Sequence, residues 1–87
     1  MAEIVTVGTL ESSDCMVTLE KGKGAITIDT VVHEAFYDHI KTLVETFMHT
    51  NEMRDIDVRI NDKGALDYAI TARLQTALSR YRGEADG

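Results

Sequence analysis

A chain of 87 residues is one domain by length, and at that size folding buries somewhat over ~60% of the unfolded chain's surface, enough for one modest core. Apolar residues make up 44% and charged residues 28%, with six Gly and no Pro, a composition that excludes disordered and collagen-like classes. Nine basic against fifteen acidic residues leave a net charge of −6, which repels polyanions and argues against nucleic acid and anionic membranes as partners.

The start, Met1-Ala2-Glu3, lacks the basic residues of a signal peptide, and no apolar run approaches the roughly 20 residues that cross a bilayer. Val5 to Leu10 and Cys15 to Lys21 are rich in Val, Thr and Leu and predict strands. Between them Glu11-Ser12-Ser13-Asp14 is a polar turn whose hydroxyls and carboxylate can bond nearby amides. A second turn, Gly22-Lys23-Gly24, leads to Ala25-Ile26-Thr27-Ile28, where apolar and polar residues alternate as in a half-buried strand. The first thirty residues therefore predict a three-stranded meander.

Thr30 is placed to cap a helix with its hydroxyl. Val32, Phe36, Ile40, Leu43 and Phe47 follow at spacings of four, four, three and four, the stripe of an amphipathic helix that Asn51 ends. Ile56, Val58 and Ile60 then alternate with Asp57, Arg59 and Asn61, the clearest strand in the chain. After an Asn61-Asp62-Lys63-Gly64 turn, Leu66, Ile70, Leu74, Leu78 and Tyr81 define a second helix, closed by Gly83. The predicted fold class is α+β: a two-layer domain of order β-β-β-α-β-α, with a four-stranded sheet and two helices on one face. Residues 1–82 form the domain and 83–87 a flexible C-terminal tail; strand order stays open.

Few residues have the spacing that chemistry needs. His33-Glu34 resembles the opening of a zinc-hydrolase helix, but position 37 is Tyr37 where a second His is required. His33 and His39 stand about 240° apart around a helix, so they cannot share a metal, and His49 pairs with neither. No catalytic or metal-binding residue is assigned. Cys15, the lone cysteine, excludes an internal disulfide and fits a reducing, cytoplasmic location. With Asp14 beside it, it reads as a small hydrophobe opening a strand and not as a nucleophile. Met16, Phe36, Phe47, Met48 and Tyr81 have core spacing, and Arg73, Arg80 and Arg82 suit the last helix through its dipole. Two turns remain as attachment points. Lys21-Gly22-Lys23-Gly24 sets lysines at a hairpin tip, as biotinyl and lipoyl domains do, but those domains are all-β. Ser12-Ser13 offers hydroxyls on an exposed loop.

The stretch from Gly8 to Val17, GTLESSDCMV, and the later stretch from Asn61 to Leu78, NDKGALDYAITARLQTAL, resemble the acyl carrier (gamma) subunit of citrate lyase. The matching parts include Gly8-Thr9-Leu10-Glu11-Ser12, then Asp62-Lys63-Gly64-Ala65-Leu66-Asp67 and the Ala72-Arg73 pair. Asn61 and Cys15 depart from the family, which has Asp and tends to have Val there. The resemblance implies a non-catalytic carrier. The serine directly after Leu-Glu, here Ser12, would bear a covalently attached phosphoribosyl dephospho-coenzyme A through a phosphodiester. The thiol of that arm would hold acetyl and citryl groups as thioesters during cleavage of citrate to acetate and oxaloacetate. Partners would be an alpha subunit (acyl transferase), a beta subunit (citryl lyase) and the transferase that attaches the prosthetic group. They are expected to approach with basic residues near Ser12, beside Glu11 and Asp14. A carrier of citramalate lyase or of malonate decarboxylase, or an unmodified acidic interaction domain, are the alternatives.

Overall fold

Residues 3–31 and 33–83 are described by the structure, a computed structural model. Its elements are β1 (Ile4–Gly8), β2 (Cys15–Lys21), β3 (Ile26–Thr30), α1 (Glu34–Thr50), β4 (Ile56–Asp62) and α2 (Asp67–Tyr81), the predicted order and class. The four strands form one sheet in the order β1-β2-β4-β3. β1 and β4 each run antiparallel to β2, whereas β3 runs parallel to β4.

The predicted meander is thus corrected: β3 does not pair with β2, because β4 lies between them. The Lys21–Ala25 link is therefore no hairpin tip but a crossing over the start of β4. Asp57, in β4, takes the place of a hairpin's own bonds, its Oδ1 accepting from the amides of Lys23 and Ala25 at 2.9 Å each. Those amides, Ala25 first, hold the Asp57 carboxyl below its usual range. Strand β4 can be central because Ile56, Val58 and Ile60 are all buried.

One sheet face is apolar. Val7, Cys15, Val17, Leu19, Ile56, Val58 and Ile60 meet Ile40, Val44 and Met48 of α1 and Ile70, Leu74, Ala77, Leu78 and Tyr81 of α2 in a single core. Full burial of a side chain such as Leu19 or Leu74 is worth about 1.5–3 kcal/mol. Phe36 and Leu66, expected on the buried stripes, are instead exposed. The first six residues of α1 stand clear of the core, and Leu66 precedes α2 as its N-cap residue. Val32, the other expected stripe residue at that end, lies outside the described residues, as do 84–87 of the expected tail.

Two local expectations change for one reason. Thr30 does not cap α1, because it belongs to β3 and donates its hydroxyl to Asp62 Oδ2 at 2.9 Å. His33 caps instead, its Nδ1 accepting from the Ala35 amide at 3.1 Å. Asp62 is the last residue of β4, not part of a turn, and is buried with its other oxygen accepting from the Ala65 amide at 2.9 Å. A buried carboxylate needs such partners, and Thr30 supplies one only from inside the sheet. The turn thus begins at Lys63.

Glycine is required at two points around this end of the sheet. Gly64 has φ +94°, the backbone that the β4–α2 turn demands. Gly8 has φ +104°, and a Cβ there would overlap the Cys15 carbonyl oxygen across the β1–β2 pair. Gly8→Ala is expected to cost more than about 2 kcal/mol, since backbone strain and overlap add. Urea denaturation checks this; an unshifted midpoint would mean that the strand pair yields freely.

Candidate functional site

The loop of residues 9–14, between β1 and β2, carries both candidate serines. Its turn is closed by the Asp14 amide donating to the Glu11 carbonyl at 3.1 Å. Ser13 occupies the left-handed region at φ +64°, an uncommon conformation for a residue with a Cβ. Two bonds hold it there. The Ser13 amide donates to the Lys63 carbonyl at 2.8 Å, and the Lys63 amide donates to the Asp14 carbonyl at 2.9 Å. Cys15 and Asp62 are directly paired between β2 and β4, which brings the β4–α2 turn against the serine loop. The two stretches that carry the family resemblance are therefore one structural unit.

The Asp14 side chain fastens the loop further. Oδ2 accepts from the Thr9 hydroxyl at 2.6 Å and Oδ1 from the Cys15 amide at 2.7 Å. Arg73, from the middle of α2, grips both oxygens, with Nη2–Oδ2 at 2.8 Å and Nε–Oδ1 at 3.2 Å. The Thr9 hydroxyl first, then Arg73 and the Cys15 amide, lower the Asp14 pKa from 3.8 to about 2. Asp14 in turn raises the pKa of Arg73. Arg73 was expected to serve the helix dipole, and the structure gives it this different task. Asp14 and Arg73 are 59 residues apart, so nothing in sequence spacing points to the pair.

Ser12 is exposed at the tip of the turn. Neither serine hydroxyl has a hydrogen-bond partner among the described residues, so Ser13 is restrained by its amide and not by its side chain. Asp14 does not present a free negative charge to a partner, since Arg73 occupies it; Glu11 remains as the exposed carboxylate of the turn. The same end of the domain gathers exposed apolar side chains from three connections. Leu10 lies in the serine loop, Val31 follows β3, and Leu66 and Tyr68 flank the start of α2 at 63% and 75% exposure.

The other titratable groups lie elsewhere in role or reach. Cys15 is fully buried, and burial first, then Asp14 and Asp62, push its thiol up to about 11. His39 Nε2 meets Asp67 Oδ2 at 2.7 Å on the surface between the helices, and His49 is exposed. Among the described residues no group of three or more His, Cys, Asp or Glu side chains could hold a metal ion. No described helix is long and apolar enough to cross a membrane.

Two measurements follow from these environments. Asp14 stays ionised in the fold down to about pH 2 but takes up its proton near 3.8 when unfolded, so its bonds stabilise the fold above 3.8 and the contribution is lost between 3.8 and about 2. Denaturation midpoints taken across that window should fall more steeply for the wild type than for Asp14→Asn. Parallel curves would show that the Asp14 bonds carry no net stability. Cys15, for its part, should resist an aromatic disulfide reagent at mildly alkaline pH until urea unfolds the chain. Rapid labelling of native protein would contradict its placement.

The acyl carrier protein (ACP) family described as malonate decarboxylase delta subunit (MdcD) matches residues 2–81. A protein of Latilactobacillus sakei named citrate lyase acyl carrier protein is 38% identical over 88 residues, 99% of this chain and 87% of that one. Relatives of the same name from Leuconostoc citreum and Halothermothrix orenii are 41% and 36% identical, over 91% and 86% of this chain and 84% and 82% of their own length. No solved structure matches. These alignments run through both the serine loop and the turn and helix that fasten it, and the chain belongs to this acyl carrier protein family, together with relatives named for citrate lyase.

Proposed function

We propose that this chain is the acyl carrier subunit of a citrate lyase, carrying a phosphoribosyl dephospho-coenzyme A group on Ser12 through a phosphodiester. The observation that carries the reading is an exposed serine, its hydroxyl bonded to none of the described residues, at the tip of a fastened turn directly after Leu10-Glu11. When bound, the group supplies a thiol on a long arm, able to carry acetyl and citryl groups as thioesters.

The residues present fit such a group. Ser12 has open solvent for a bulky substituent, and the negative charge of Asp14 is matched by Arg73, so a phosphodiester on Ser12 adds charge beside one exposed carboxylate, Glu11, rather than two. Ser13 is the poorer candidate, because its amide is committed to Lys63 and its backbone is already in a restricted region. The chain's other groups support a carrier rather than a catalyst. Asp14 is ionised and fully bonded, and Cys15 is buried and protonated. Transfer and cleavage then belong to partner subunits, an alpha acyl transferase and a beta citryl lyase, with a separate transferase attaching the group. A buried, reduced cysteine accords with a cytoplasmic setting.

A second reading, the carrier of a malonate decarboxylase, is favoured by the description of the matching family. The two readings separate on which enzyme copurifies with the chain and turns over with it. For the site, Ser12→Ala is expected to abolish loading, while Ser13→Ala retains most of it. Intact mass of protein from its native host reports the adduct, and fragmentation locates it. An adduct on Ser13 or Cys15 would overturn the assignment, and an unmodified chain from cells fermenting citrate would overturn the carrier reading.

A further inference from the structure

We infer that Arg73 is a positioning residue for Ser12: acting through Asp14, it holds the loop of residues 9–14 in the one backbone conformation in which the attaching enzyme meets the Ser12 hydroxyl. The inference rests on the reading of Ser12 as the modified serine.

Packing does not hold this loop. Leu10, Glu11, Ser12 and Ser13 are all exposed, so no side chain from Leu10 to Ser13 is anchored in the core. What remains are two local bonds, the Glu11 amide donating to the Thr9 hydroxyl at 3.2 Å and the Asp14 amide donating to the Glu11 carbonyl, together with the side-chain bonds of Asp14 and the exchange with Lys63. Ser13 must keep a left-handed backbone against its own preference, and it relaxes once these ties are cut. The Asp14 carboxylate spans the loop, bonded to Thr9 at its beginning and to the Cys15 amide at its end. Only Arg73 connects that carboxylate to α2. Its two nitrogens grip two oxygens, which fixes the plane of the carboxylate as well as its distance. A lysine at that position supplies charge without that orientation.

Orientation matters because loading is a displacement at phosphorus. Ser12 Oγ forms one bond to the phosphorus of an activated phosphoribosyl donor, a phosphoanhydride, and the bond from that phosphorus to its phosphate leaving group breaks. The serine proton passes to a base of the attaching enzyme or to water. A hydroxyl on a turn that samples several conformers spends less time in line, and misplacement by an ångström can cost about a hundredfold.

The test uses the full unloaded chain with its attaching transferase and the activated donor. Loading is followed by intact mass, the fold by circular dichroism, and the turn by amide exchange at Ser13 and Lys63. Arg73→Met should keep the fold, speed exchange at both amides, and lower kcat/KM for loading on the order of tenfold or more. Arg73→Lys should restore part of each. Asp14→Asn should match Arg73→Met, and the double variant should be no slower than either, since the pair acts as a unit. Loading at the wild-type rate in Arg73→Met overturns the inference. Slow loading with unchanged Ser13 exchange also overturns it, because Arg73 would then touch the transferase and not set the turn. If Arg73→Met does not fold, the Asp14→Asn exchange and loading data decide. If the wild type is not loaded at Ser12, the function reading fails by itself, and unchanged exchange in the variants would separately overturn the role of Arg73 in holding the turn.

Discussion

The carboxylate of Asp14 accepts from the Thr9 hydroxyl, the Cys15 amide and two nitrogens of Arg73, and the shape of the exposed end of the domain follows from those bonds. An ion pair with side chains 36% and 18% exposed is not a large source of stability, since water screens such pairs and leaves them little net worth. Its importance is geometric. The loop has no buried apolar side chain between Leu10 and Ser13, so hydrophobic burial, which fixes the rest of the fold, cannot choose its conformation. Directional, charge-assisted bonds can.

The same constraint explains why the site is assembled from both ends of the chain. Strand β2 lies between β1 and β4, so the loop that enters β2 and the turn that leaves β4 are neighbours, with Cys15 opposite Asp62. Lys63 reads the loop through its backbone and Arg73 through its side chain. Asp62, buried beneath them, bonds Thr30 and Ala65 and so ties β3 and the start of the α2 connection to the same end. Cys15 sits inside this junction as a protonated, fully buried thiol. On the proposed function that burial matters, because an exposed thiolate beside Ser12 would compete for the acyl group.

Much of this was legible in the chain. The alternation of Ile56, Val58 and Ile60 specified a strand, the Ile70, Leu74, Leu78 and Tyr81 stripe specified a helix, and Glu11-Ser12-Ser13-Asp14 marked the turn that the structure closes. The misses share a cause. Periodicity reports which residues can face a core but not where an element ends relative to its neighbours, so it places Phe36 and Leu66 on buried stripes although both are exposed. Local patterns also favour adjacent pairing, so β3 was laid beside β2, although a carboxylate 34 residues from Lys23 organises the crossing. Thr30 looked like a cap because a hydroxyl before an apolar stripe usually is one. Its actual partner, Asp62, is 32 residues away. The role of Arg73 escapes sequence reading for the same reason. Hydrogen bonds between distant side chains leave no spacing signal, and those bonds build this site.

A rigid mount under a mobile arm has a physical logic. The rate at which a tethered group reaches an active site depends on its effective concentration there, which is greatest when the tether's reach matches the span and falls as extra freedom spreads it through more volume. On the proposed function, freedom in the arm is useful because one thiol must visit two catalytic subunits. Freedom in the base is not, since it enlarges the volume without extending the useful reach. It also blurs the surface that each partner must recognise. Exposed Leu10 keeps a fixed place beside Ser12 only while the loop is fastened, and ordering the loop on binding would cost conformational entropy at every encounter. Holding the turn through Asp14 and Arg73 meets that cost once, during folding, and leaves the flexibility in the part of the assembly that has to move.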